Sequence, residues 1–152
     1  MRATYKVLAS LVAIGVALQA MFAVLGIAGL EKWVDGGGVF DKSVMEAEDA
    51  PFPEVFAFLA HGMNGMLVIP LIALALLIVS FFAHVPGGVK WAAVVLGLVV
   101  LQVTLGLLGH GIPFLGALHG LNALALFTCA LYTARTVASR TTVAEPALAA
   151  VS

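Results

Sequence analysis

The sequence predicts an all-α integral membrane protein, a four-helix transmembrane bundle built from a parallel two-helix repeat. Three observations carry this. Of the 152 residues, 62% are hydrophobic and only 10% are charged, and the mean hydropathy is +1.14, far from the balance of a soluble domain. Four apolar stretches, at 7–30, 55–82, 91–109 and 114–134, are close to or above the roughly 20 helical residues that cross a hydrocarbon core. Finally, polar residues recur in register in the first and second pair of stretches. Lipid offers no partner to unpaired backbone groups, and none of the stretches alternates with the period of two that a barrel strand needs, so each is read as a helix.

The first span follows Arg2 and Lys6 and has a faint cleavage-site look at Ala17-Leu18-Gln19-Ala20. At about 24 residues it is too long for the apolar core of a signal peptide, so it is read as a membrane helix. The outer loop 31–54 holds every acidic residue except Glu145. Within it Gly36-Gly37-Gly38 reads as flexible, 41–49 as a short helix, and Pro51 and Pro53 as its stop before the second span, so that the loop could act as a lid. The second span contains Pro70, which predicts a kink. Pro86-Gly87-Gly88 marks a tight turn, and the tail 136–152 reads as disordered. The whole is one membrane domain, 1–152, with repeat one at 5–82 and repeat two at 90–135. Alternating spans put Arg2, Lys6, Lys90, Arg135 and Arg140 on one side and Lys32 and Lys42 on the other, which by the positive-inside rule predicts both termini in the cytoplasm. No nucleic-acid footprint exists, and the single Cys129 excludes an intrachain disulfide.

The repeat is written in polar residues. Gln19 in the first span and Gln102 in the third are each preceded by Leu and followed, seven residues on, by Gly. The second span carries His61-Gly62-Met63-Asn64-Gly65 and the fourth His119-Gly120-Leu121-Asn122-Ala123. Amides and imidazoles are costly inside a membrane and must find partners, so their recurrence in register points to duplication. The two copies have the same orientation.

Both histidines lie about 10 Å below the outer end of their helices at 1.5 Å per residue. In an up-down bundle the second and fourth spans are diagonal neighbours. Two imidazoles at one depth, facing across the axis, suit the two faces of a six-coordinate haem iron. Gly62, Gly65, Gly120 and Ala123 clear bulk beside them for a flat macrocycle. Asn64 and Asn122 are placed to bond the first and third spans through Gln19 and Gln102, orienting the histidines. The alternatives are polar residues that only join helices, another metal, or a quinone. A zinc or copper site would need further ligands. His84 reads as a solvated turn residue. His110, Lys32, Lys42 and Trp33 are outer-face candidates for a propionate or headgroup contact, and interfacial residues without such a role are common.

The segment 101–135, with Leu-Gln-x-Thr-Leu-Gly from Leu101 and Leu-His-Gly-Leu-Asn-Ala from Leu118, resembles one four-helix half of the haem A synthase family. The resemblance extends in helix order over most of the chain and implies that His61 and His119 are the axial pair of a haem b. The family's catalytic half has a glutamate three residues before its second-helix histidine and an arginine just after it. Here those positions are Phe58 and Gly62, and the family's paired outer-loop cysteines are absent. The resemblance is therefore to the haem-holding half. It implies a membrane protein for electron transfer or haem handling, with no catalytic residues of its own, in a bacterial cell membrane and facing a redox partner or larger respiratory complex. A cofactor-free accessory subunit is the alternative, and a haem-modifying enzyme working as a homodimer is a second one.

Overall fold

The computed structural model describes residues 1–46 and 49–137. Among them are four helices long and apolar enough to cross a membrane, Arg2–Asp35, Pro53–Ala83, Gly88–Gly109 and Pro113–Arg135. No strand occurs among the described residues. The first span is a single helix α1 (Arg2–Asp35), followed in the loop by the short α2 (Lys42–Glu46). The second span is built in pieces: a 3-10 turn at Pro53–Val55, helix α3 (Phe56–Met63), a π-turn at Asn64–Val68, and helix α4 (Ile69–Ala83). Helices α5 (Gly88–Gly109) and α6 (Pro113–Arg135) are unbroken. The described residues end just inside the tail, and most of it, Arg140 included, lies outside them.

Helix α1 packs on α3, α4 and α6, and α5 packs on α4 and α6. The second and fourth spans are therefore diagonal across the bundle, as an up-down-up-down order requires. At one end of the bundle the chain turns sharply between α4 and α5. His84 takes the left-handed conformation (φ 51), as does Gly87 (φ 71), and both reversals lie within five residues because Pro86 cannot continue a helix. The N-terminus is stitched to this turn. Arg2 donates to the His84 carbonyl (3.1 Å), and Tyr5, wholly buried, donates its hydroxyl to the Gly88 carbonyl (3.0 Å). Removing that hydroxyl leaves a buried carbonyl short of a donor, so Tyr5→Phe is expected to destabilise the bundle by about 1–2 kcal/mol, read as a lowered thermal midpoint in detergent.

The main packed cluster lies toward this turn end, while Phe52 and Ala57 are buried outside it at the loop end. Tyr5, Val12 and Val16 of α1 interlock with Ile69 and Leu76 of α4, Val95 and Val99 of α5, and Leu126 of α6. Toward the loop end, α5 has no buried residue beyond Val99 and α6 none before Asn122. There the first two spans are instead drawn together by glycine. A side chain at Gly26 would strike the Phe58 ring, and one at Gly29 would strike Glu54, so small residues set the helix separation in this half.

The glycine triplet after α1 is an ordered helix stop and not the flexible segment its composition suggests. The Gly36, Gly37 and Gly38 N–H groups return to the carbonyls of Lys32, Val34 and Trp33 at 2.9–3.1 Å. Gly37 has φ 96, and the Trp33 indole covers Gly38. Trp33 also meets Phe52, with ring centroids 5.8 Å apart, which brings the two ends of the loop together. The short helix expected over 41–49 occurs at Lys42–Glu46. Asp41 caps it by accepting from the Ser43 hydroxyl and from the Ser43 and Val44 N–H groups. The Ser43 hydroxyl, with the backbone donors, holds the Asp41 carboxyl below its ordinary range, so this cap persists at neutral pH and is lost only as acid protonates the carboxylate.

Candidate functional site

The amide groups that the sequence places in the apolar spans find partners in a layer just above the packed core, and the two halves use the same scheme. In the second half, Asn122 donates to the side-chain oxygen of Gln102 (2.7 Å) and to the Leu98 carbonyl (3.0 Å). In the first, Asn64 donates to the side-chain oxygen of Gln19 and to the Gly15 carbonyl, both at 3.2 Å. Leu98 and Gly15 each stand four residues before their glutamine, one helical turn away. Each asparagine thus ties its helix to the preceding span at the same register. Among the described residues no buried side-chain nitrogen or oxygen is left unpaired.

Each glutamine serves its histidine as well, through its main chain. His119 Nδ1 lies 2.9 Å from the Gln102 carbonyl, and His61 Nδ1 lies 3.1 Å from the Gln19 carbonyl. A carbonyl oxygen only accepts, so in both rings Nδ1 carries the proton, and the neutral imidazole is left with its lone pair on Nε2. Proteins orient metal-ligating histidines by this kind of bond.

The two rings are neighbours across the bundle. Their centroids are 6.2 Å apart and their planes are inclined by 51°. Two imidazoles on opposite sides of one metal ion, each with a metal–nitrogen bond of about 2 Å and about 1.2 Å from that nitrogen to the ring centre, have centroids about 6.4 Å apart. The centroid separation of 6.2 Å is close to that value. A side chain built at Gly62 or at Gly120, next to each histidine, would meet nothing within 4 Å. The donor set, its spacing and this clearance all fit a planar macrocycle with an axial ligand on each face. A tetrahedral metal centre fits poorly, since no group of three or more His, Cys, Asp or Glu exists among the described residues.

The other expected site residues divide. Gly65 does not face open space: the Gln19 carboxamide lies against it and donates from Nε2 to the His61 carbonyl (2.9 Å). Ala123 packs against the core instead of beside a pocket. His84 is exposed, its Nδ1 turned to the Phe82 carbonyl (2.9 Å), and His110 and Lys32 are exposed at the loop end. A groove of about 840 Å³ lies along α5 and α6, where Trp91, Leu101, Leu105, Leu121 and Tyr132 line an open apolar furrow that also reaches Asn122 and Cys129, and neither histidine lines it.

Two features of the site escape sequence reasoning. One is the π-turn Asn64–Val68, which begins three residues after His61. Its signal was Pro70, which has no N–H for the Met66 carbonyl. The structure widens the helix ahead of the proline. The other is Gly106: a side chain there would come within 3.1 Å of the His119 ring, so the imidazole is seated against the backbone of α5.

Fold and site together define a four-helix membrane bundle with a neighbouring pair of histidines. No family model, curated protein or solved structure matches the chain.

Proposed function

We propose that this chain is a haem b-binding membrane protein whose axial ligands are His61 and His119, serving electron transfer or haem handling. The observation that supports this most is the 6.2 Å separation of the two rings, together with the carbonyl bonds that leave both Nε2 atoms free to ligate. A haem b held this way supplies one-electron redox chemistry. The chain's own contribution is to fix two helices at the right spacing. Gln19 and Gln102 set the tautomer and aim of the rings, Asn64 and Asn122 lock the helices that carry them, and Gly62 and Gly120 clear the flanks. The proposal extends to a bacterial cell membrane with both termini cytoplasmic. The site then lies near the outer face, where a membrane redox partner or respiratory complex would meet the acidic loop.

A cofactor-free accessory role is favoured by one observation, the completeness of the amide layer, which joins the helices with no bond left over. The two readings separate in one measurement. Protein expressed with haem supplied and purified in detergent is expected to show the sharp α band of low-spin b-type haem in its reduced-minus-oxidised spectrum. A colourless, well-folded protein overturns the haem reading and leaves the accessory one.

A further inference from the structure

The two halves repeat in sequence but do not hold their histidines equally. His119 sits on an unbroken helix, seated against Gly106 and bonded at 2.9 Å, and its asparagine is held at 2.7 and 3.0 Å. His61 sits three residues before a π-turn, with the corresponding bonds at 3.1, 3.2 and 3.2 Å. The position matching Gly106, four residues after the glutamine, is Ala23 in the first half. At Gly106 a methyl would come within 3.1 Å of its imidazole, so a half that carries the methyl cannot seat its ring as deeply. The extra bond in the first half, from Gln19 Nε2 to the His61 carbonyl, secures the main chain of that turn and not the ring. A π-turn is also where a helix can change register by one residue, swinging the side chains of the preceding turn.

We infer that His61 is the exchangeable ligand and His119 the permanent one, so that the site also binds a small neutral diatomic gas in place of His61. This rests on the haem-binding reading. With haem bound, His61 Nε2 would be released and the incoming ligand would take its place. Neither proton nor electron moves, and His61 Nδ1 keeps its hydrogen.

The test is carbon monoxide binding to the reduced, haem-loaded protein, followed by absorbance. Wild type is expected to exchange slowly, at a rate that levels off at high carbon monoxide because release of His61 gates it. His61→Ala is expected to remove that plateau and speed exchange at least about tenfold. Two milder variants keep the test open should that one fold poorly. Ala23→Gly, which lets the ring seat deeper, is expected to slow exchange by about threefold or more, and Gly106→Ala, which loosens the other ring, to leave the plateau governed by His61 or to add a second, faster route. Haem-loaded protein whose spectrum saturating carbon monoxide leaves unchanged, or a plateau that neither His61→Ala nor Ala23→Gly moves, overturns the inference while the haem reading stands. Protein that takes up no haem overturns both.

Discussion

On the proposed haem reading, replacing His119 by alanine is expected to abolish haem retention. Alteration of groups that merely orient a metal ligand commonly weakens metal binding by about 10- to 100-fold, so loss of the more firmly seated ligand itself is expected to weaken retention at least about 100-fold. The check is the haem-to-protein ratio after purification in detergent. His119→Ala should emerge almost colourless, whereas His61→Ala should retain pigment with a high-spin spectrum, because the remaining ring is still seated against Gly106 and bonded to the Gln102 carbonyl. Equal retention in both variants would show that the halves hold their rings alike. Full retention with both histidines replaced would remove the pair from the site altogether.

The largest effect on folding is expected at Gly109. Helices α5 and α6 are joined by only 110–112, so they are forced together at the loop end. A methyl at Gly109 would lie 2.9 Å from both the Cα and the nitrogen of Gly116. These are backbone atoms of a helix and cannot turn aside, so Gly109→Ala is expected to destabilise by about 1–3 kcal/mol and to pry apart the helices beside His119. The reverse substitution is the control. A methyl at Gly116 would lie 3.9 Å from Gly109, an ordinary contact, and Gly116→Ala is expected to leave the thermal midpoint nearly unchanged. Similar midpoints for the two variants would mean that the helices do not meet here as described.

What was legible in the sequence follows from how few choices lipid leaves. Backbone groups must pair within a helix, so hydropathy and length alone located the four spans. Gln19, Asn64, Gln102 and Asn122 had no water to bond, so their pairing across helices could be read from register. The partners they share with the backbone, the Gly15 and Leu98 carbonyls, depend on how each helix is rotated about its axis, which the pattern of apolar residues on a lipid-bathed helix hardly constrains. Gly65 and Ala123 show the same limit. Their size fits a cofactor cradle equally well on paper, but helix rotation turns one toward Gln19 and the other toward the core. The π-turn was half visible: Pro70 announces a fault in the ladder, and only the tertiary packing of α1 on either side decides that the fault is absorbed as an added residue per turn. The glycine triplet misled because glycine serves both flexible linkers and helix stops, and the Trp33 ring that settles the matter is recruited by Phe52, nineteen residues downstream.

The concentration of the apolar core toward one end has a consequence for how such a protein would be made. The end bearing the N-terminus and the tight turn contains everything needed to hold the four helices in order, including the anchoring of Tyr5 beneath Gly88. On the proposed haem reading, the pigment would enter at the opposite end, where glycine rather than interdigitated side chains spaces the first two helices and little has to be undone to admit a flat guest.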